Sequence, residues 1–133
     1  MRTLKLTLAY DGAAYAGWQR QANALSVQQV VEEAFVPFVG GTAPPPHVAG
    51  ASRTDAGVHA LGQIASVDVD LAHDTDAIQR ALNARLPADI RVMRVEDARP
   101  GFHARFDARA KHYRYRIVTA DVLSPFARGI AWH

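Results

Sequence analysis

A carboxylate and a guanidinium stand close together in the stretch ASRTDAGVHALGQ, residues 51–63. Arg53, Thr54 and Asp55 precede an Ala-Gly pair, small residues that let a backbone or a flat ring approach closely. A carboxylate can attack a sugar carbon or an activated ring carbon, and a neighbouring guanidinium favours its ionised form. The same residues are also typical of an ordinary turn, so the tripeptide alone leaves both interpretations open.

A second group of candidates alternates aromatic and basic side chains in KHYRYRIV, residues 111–118. Tyr113 and Tyr115 fall on one face of a predicted strand and the arginines on the other. Aromatic rings that stack bases, beside arginines that meet phosphates, are typical of RNA-binding sheets. The alternative is a core strand with a polar outer face. The candidate RNA contacts are Arg109, Lys111, Arg114, Arg116 and, in the loop GWQRQ, Arg20.

The distribution of charge indicates the same kind of partner. Residues 1–98 carry 8 Lys+Arg and 11 Asp+Glu, whereas residues 99–133 carry 7 Lys+Arg and 2 Asp+Glu. This asymmetry favours a polyanionic partner, although a solubilising face would give it too. In GWQRQ, Trp18 is either part of such a surface or simply packed in the core.

Several classes of function are excluded or disfavoured by what the sequence contains. There are no cysteines, which excludes disulfides and thiolate metal sites and favours a reducing cytoplasm. The six histidines show no metal-site spacing, so we expect no metal, and no glycine-rich phosphate loop is present. No apolar run is long enough for a membrane span, and the N-terminus reads as a strand rather than a signal peptide.

The elements that must position these residues follow the order β-α-β-β-α-β. Strands are predicted at residues 4–8, near Val48, over QIASVDVD and over IRVMRVE. Ser26 opens one helix in a capping box with Gln29, and Asp74 or Asp76 opens the other. In QIASVDVD one face is expected to be solvated, with Ser66, Asp68 and Asp70 on it.

This order predicts an α+β, ferredoxin-like fold: an antiparallel sheet with both helices on one face. We assign residues 1–99 to one ferredoxin-like domain, which contains the candidate catalytic loop at residues 51–63. The strand that carries Tyr113 has no partner left in it, so residues 100–133 are predicted to begin a second, truncated α+β unit.

Five stretches together resemble the tRNA pseudouridine synthase A family. They are YDGAAYAGWQRQ, SVQQVVEEAF, RTDAGVHALGQ, ALNARLP and FHARFDARAKHYRYRI, in the family's order. The resemblance implies that Asp55 is the catalytic aspartate and that Arg53 pairs with it and helps hold the flipped nucleotide. It implies that Tyr113 packs on the target uracil and that the substrate is uridine 38, 39 or 40 of the tRNA anticodon arm. It further implies a cytoplasmic homodimer that needs no cofactor.

Two departures from the family pattern affect these expectations. Position 52 is Ser where the family most often has Gly, so the loop that enters Arg53 is expected to be held differently. Family members are also about twice as long, so this chain is expected to be an inactive fragment. The competing interpretation is a non-catalytic RNA-binding module, although such a module has no need of Asp55, whose charge opposes phosphate. An aspartyl-phosphate enzyme is disfavoured because no second acid lies near Asp55 to bind Mg²⁺.

Overall fold

A computed structural model describes residues 1–40 and 44–108, which fold as four β-strands and two α-helices. The strands are β1 Arg2–Tyr10, β2 Ala49–Gly50, β3 Ala60–Val69 and β4 Ile90–Asp97, and the helices are α1 Val27–Ala34 and α2 Thr75–Arg85. Short 3₁₀ helices lie at Gly12–Ala14 and Val36–Phe38.

All pairings in the sheet are antiparallel, and the strand order is β2-β3-β1-β4. In β1 the alternate leucines lie fully buried, and Leu6 stands opposite Ala65 of β3 and Val95 of β4. Because alternate side chains point to opposite faces, this register aligns the apolar residues of the three long strands on one face. Buried residues of both helices, including Val31 and Leu82, join the same core. The arrangement is compatible with a ferredoxin-like unit.

The two helix starts follow the sequence signals. The Ser26 hydroxyl accepts a hydrogen bond from the backbone N–H of Gln29 at 3.2 Å, which satisfies one of the unpaired donors of the first turn of α1. Of the two acids expected to open α2, Asp74 is the cap, and its carboxylate accepts from the N–H of Ala77 at 2.8 Å. Asp76 lies inside the first turn, where its charge favours the helix.

The second face of the sheet is less solvated than the alternation of β3 predicts. The expectation was wrong for Ser66, which is 5% exposed. The chain after β4 returns across this face, and the backbone N–H of Ala104 donates to the Ser66 hydroxyl at 2.9 Å. Ala104 is itself buried, so residues near it cover part of the surface that a sequence pattern assigns to water.

The second predicted unit falls largely outside the described residues. The strand that contains Tyr113 and Tyr115 lies there, as do Arg109, Lys111, Arg114 and Arg116. The division at residue 99 therefore stays a prediction.

Candidate active site

The loop between β2 and β3 presents the predicted aspartate to solvent. Asp55 and Arg53 are exposed, whereas Thr54 between them is half-buried. The Asp55 carbonyl accepts a hydrogen bond from the N–H of Val58 at 3.1 Å, so the chain reverses directly after the carboxylate. Gly57 lies within this turn at φ +80°, a conformation that favours glycine. The predicted turn chemistry is thus present, and it leaves the Asp55 side chain accessible.

The backbone of this loop is fixed by the segment that follows β1. The N–H of Trp18 donates to the carbonyl of Thr54 at 3.0 Å, and the N–H of Gly57 donates to the carbonyl of Tyr15 at 3.2 Å. These two bonds lie on either side of Asp55. The sequence suggested RNA contact or core packing for Trp18, and the structure places it in the core at 2% exposure.

Glycines allow the two segments to approach this closely. A Cβ added to Gly17 would lie 2.5 Å from the Thr54 carbonyl oxygen, and Gly17 has φ +84°. A Cβ added to Gly12 would lie 2.0 Å from the Val58 carbonyl oxygen. Both separations are far inside van der Waals contact, so no other residue fits without moving the loop that carries Asp55.

A buried tyrosine forms a hydrogen bond with the loop that carries Asp55. The Tyr10 hydroxyl and the Thr54 Oγ1 are 2.8 Å apart, and Tyr10 is 4% exposed. Burial raises the pKa of the Tyr10 hydroxyl, so this group stays protonated and available as a hydrogen-bond partner near neutral pH. The sequence analysis did not identify Tyr10 as a site residue. Its position immediately before the turn signal Asp11-Gly12 indicates only the end of a strand.

A histidine joins the two segments at their other end. The N–H of Gly12 donates to the Nδ1 of His59 at 3.0 Å, which requires that this nitrogen carry no proton. The same nitrogen lies 3.1 Å from the Asp11 carboxylate, a contact that becomes an ion pair when the ring is protonated. Either protonation state therefore ties His59 to the segment that supports the Asp55 loop.

Arg53 and Asp55 do not form an ion pair with each other, in the part of the chain that the structure describes. The roles predicted for Arg53 and Asp55 stay predictions.

Ser52, the departure from the family pattern, is held by the side chain of Gln63. The Gln63 side-chain amide donates to the Ser52 carbonyl at 2.6 Å, and the Ser52 hydroxyl lies 3.4 Å from the Gln63 Oε1.

Arg53 lines a groove of about 610 Å³ beside the loop. We call this the Arg53 groove, and its lining is Trp18, Gln19, Arg20, Gln28, Glu32, His47, Ala49–Arg53, His103, Arg105 and Phe106. The lining includes Arg53 but not Asp55, so the groove adjoins the carboxylate rather than containing it. Basic side chains outnumber acidic ones in it, and this suits a negatively charged ligand.

Arg20, a predicted RNA contact, is held within this groove by a buried carboxylate. Its Nε donates to the Glu32 Oε1 at 2.8 Å, and the Glu32 side chain is 6% exposed. The other Glu32 oxygen accepts from the N–H of Val48 at 2.8 Å. The His47 Nδ1 lies 3.5 Å from that oxygen. Glu32 therefore links α1, Arg20 and the entry to β2, and it offsets much of the Arg20 charge.

Besides Tyr10, sequence reasoning missed His103, Arg105 and Phe106, which line the groove. The available signal was FHARF, which places two phenylalanines, a histidine and an arginine within five residues. Tyr113 and the four basic residues near it lie outside residues 1–40 and 44–108, so their predicted roles stay predictions.

Metal-ligand side chains do not converge in the described residues: no three of their His, Asp and Glu side chains are placed to hold an ion. Within the same residues, neither α-helix has the length and apolar character that crossing a bilayer requires.

The described residues thus place an exposed aspartate, fixed by backbone hydrogen bonds on either side, next to a basic groove on an α+β sheet. Comparison with known proteins identifies the family. The profile of the tRNA pseudouridine synthase family matches residues 7–107, and the chain belongs to that family.

Curated relatives support the same assignment over the whole chain. The protein named tRNA pseudouridine synthase A from Akkermansia muciniphila is 47% identical over 135 residues, which is 100% of this chain and 50% of the relative. The protein of that name from Geobacter sulfurreducens is 47% identical over 133 residues, covering 100% and 53%. That from Rhodospirillum centenum is 46% identical over 134 residues, covering 100% and 54%. The chain thus spans about half the length of the curated relatives it matches.

Proposed function

We propose that the full-length protein isomerises uridine to pseudouridine in tRNA and that Asp55 is the nucleophile. The observation that carries the proposal is the combination of an exposed carboxylate with a backbone bonded on both sides of it, at Thr54 and Gly57. A nucleophile must be accessible and held in position, because reaction rates depend steeply on the placement of the attacking atom.

The proposed reaction exchanges nothing with an outside molecule. The N1–C1′ bond breaks, the uracil turns, and a C5–C1′ bond forms; C5 loses a proton and N1 gains one. The carboxylate attacks either C6 of the base or C1′ of the ribose, and the residues present are compatible with both. Because the reaction is an isomerisation, we expect it to need no cofactor.

The substrate proposal extends to the anticodon arm. By the family resemblance, the targets are uridines 38, 39 and 40, with Arg53 holding the flipped nucleotide and Tyr113 packing on the uracil. The target uridine must leave its stack at a cost of a few kcal/mol, which arginine and aromatic contacts would offset. We take the described unit as ferredoxin-like and place the reaction in the cytoplasm, where its proposed substrate is found.

We also propose that one such unit holds only part of the cleft. The chain spans about half of its relatives, and the resemblance implies a homodimer of subunits with two halves each. The 133-residue chain alone should therefore bind RNA weakly and not catalyse. Tritium release from C5-labelled uridine in tRNA measures this directly. Turnover by the 133-residue chain at the rate of the full-length protein would show that one half suffices.

The nucleophile is tested by Asp55→Asn in the full-length protein. Turnover should fall by several orders of magnitude while tRNA affinity changes little, because the amide keeps the shape of the side chain and loses its nucleophilicity. Asp70→Asn is the matched control, since this exposed carboxylate follows the far end of β3, about 30 Å along the strand. Activity of Asp55→Asn within about tenfold of wild type would contradict the nucleophile assignment. Tight tRNA binding by wild type without any turnover would instead support the RNA-binding alternative.

A further inference from the structure

The wall of the Arg53 groove formed after β4 is an ordered turn. The Asp107 carboxylate accepts from the backbone N–H of His103 at 2.7 Å and from the Arg99 guanidinium at 2.8 Å. The backbone N–H of Asp107 donates to the carbonyl of His103 at 2.9 Å, which closes the turn. Ala104 fastens it to the sheet through Ser66. The side chains between these points are thus carried by a defined backbone rather than by a loose end.

This turn presents an aromatic ring to solvent. Phe106 is 80% exposed, yet one side of its ring stacks on His103, with centroids 4.3 Å apart and planes inclined by 27°. Exposing a ring of this size forfeits the free energy that burying it would gain. Single exposed apolar residues are common on protein surfaces, so what distinguishes Phe106 is its stacking on His103 and its place among the basic side chains of the groove. A ring supported from behind is arranged to receive a flat partner on its open side.

The charges around the ring specify what kind of partner fits. Arg53 and Arg105 are both exposed on the groove, and neither joins an ion pair with a carboxylate of the described residues. The acid of the groove, Glu32, is already matched by Arg20. Two uncompensated guanidinium groups next to a stacking ring are the combination that binds single-stranded nucleic acid, with cations on phosphates and the ring on a base.

We propose that the Arg53 groove holds the RNA strand adjacent to the target uridine, with Phe106 stacked on one flanking base and Arg105 on a phosphate. The assignment rests on the proposed function and deepens it. Arg53 belongs to both the groove and the Asp55 loop, only two residues from the carboxylate. A strand that lies in the groove therefore enters the reaction site directly, and the groove fixes which nucleotide reaches Asp55.

The test uses an anticodon stem-loop RNA with 2-aminopurine next to the target uridine, on its 5′ side in one RNA and its 3′ side in another. Stacking quenches this base, so its fluorescence reports the contact itself. With full-length protein, Phe106→Leu should restore the fluorescence in one of the two RNAs and weaken binding by roughly fivefold or more. Phe106→Trp should keep both the quenching and the affinity of wild type, because it retains an aromatic ring. Met93→Leu is the control, because this residue is 57% exposed on β4, at the opposite edge of the sheet from the groove.

The phosphate contact is tested by the salt dependence of the affinity. Arg105→Gln should lower the slope of log K against log salt by about one, whereas Phe106→Leu should leave it unchanged. Arg94→Gln, on β4, is the matched charge control and should leave the slope near that of wild type. Melting temperatures of all variants establish that the fold is kept.

The possible outcomes distinguish failure of the groove proposal from failure of the proposed reaction. If wild type turns over but Phe106→Leu binds within twofold and leaves both fluorescence signals unchanged, the groove proposal is wrong and the nucleophile proposal stands. The exposed ring would then serve a different partner, such as a protein. An equal loss of slope in Arg94→Gln would also overturn the groove, since it would show only a general charge effect. If wild type and its variants bind as expected but no tritium is ever released, the proposed reaction fails and the groove stands.

Discussion

Replacing Gly17 with alanine should displace Asp55, the proposed nucleophile, without changing its side chain. The new Cβ would lie 2.5 Å from the Thr54 carbonyl oxygen and 3.2 Å from the Asp55 carbonyl carbon. To reach ordinary contact at 3.4 Å, the Thr54 carbonyl must retreat by roughly 0.9 Å. That movement breaks or stretches the bond from the Trp18 N–H, one of the two that fix the backbone on either side of Asp55.

The size of the effect follows from two separable costs. Gly17 and Gly57 both have positive φ, at 84° and 80°, so alanine at either costs about 1–2 kcal/mol in backbone strain. Only Gly17 adds a clash, since a Cβ on Gly57 meets nothing within 4 Å. The clash should cost a further 1–3 kcal/mol, about that of overpacking. A shift of about 1 Å at a reacting group lowers the rate by roughly 10².

The assay compares three alanine variants of the full-length protein by single-turnover tritium release and by thermal melting. Gly17→Ala should lose about 10² in rate, Gly57→Ala less than about tenfold, and Gly62→Ala essentially nothing. A Cβ on Gly62 has the Thr7 side chain as its nearest neighbour, at 3.9 Å, so it serves as the neutral control. Equal rates for Gly17→Ala and Gly57→Ala would show that the clash at Thr54 does not displace Asp55. The contact at Thr54 would then contribute to stability alone.

Three further outcomes are expected. Tyr10→Phe should destabilise the fold by about 0.5–1.5 kcal/mol and lower kcat more than RNA affinity, because it removes the hydroxyl bonded to Thr54; an unchanged kcat in a kinetic assay would limit Tyr10 to the core. Tyr113→Phe should lower the rate by roughly 10² if its hydroxyl moves a proton and be nearly silent if the ring only packs, whereas a fully active Tyr113→Ala would contradict both. The hydrogen bond from the His103 backbone lowers the pKa of Asp107 below its ordinary value of 3.8. The ionised carboxylate therefore contributes its full stabilisation of the turn at pH values above 3.8, and this contribution is lost as the pH falls through the lowered pKa. Asp107→Asn should therefore exchange the amide hydrogens of its turn faster than wild type at neutral pH and match it in acid; equal exchange at neutral pH would sink this assignment.

Local signals predicted the elements of this chain well. Ser26 and Asp74 each cap a helix where a short polar side chain precedes an apolar helical stripe, because capping involves only neighbours in sequence. The leucines of β1 likewise indicate the buried face through their own alternation. The 51–63 stretch could be identified as a candidate site for the same reason, since its residues are adjacent in sequence; the chemistry predicted for it stays a prediction.

Contacts between distant segments could not be predicted in this way. Nothing in the residue types shows that the Trp18 N–H meets the Thr54 carbonyl, because both partners are backbone groups that every residue has. The burial of Ser66 depends on a segment almost forty residues further along the chain. The pairing of Arg20 with Glu32 was also not predicted, because the sequence indicated only an RNA contact for Arg20. Gly12 and Gly17 are the available hints, because a close approach of two backbones favours glycine even where the segment that it meets shows no pattern of its own.

The roles proposed for Asp55 and for the Arg53 groove require opposite charges close together. A carboxylate repels the phosphates of an RNA substrate, so a binding surface alone would not favour it. Asp55 lies outside the lining of the Arg53 groove, while Arg53, two residues earlier, lies within it. The loop thus separates the carboxylate from the cations that we propose to bind the strand, yet keeps Asp55 and Arg53 on one short segment of backbone fixed by the residues after β1. A displacement of that segment would move the proposed nucleophile and the entrance of the groove together. Substitutions of residues that support the loop should therefore impair binding and chemistry jointly, whereas those at Phe106 should affect binding first.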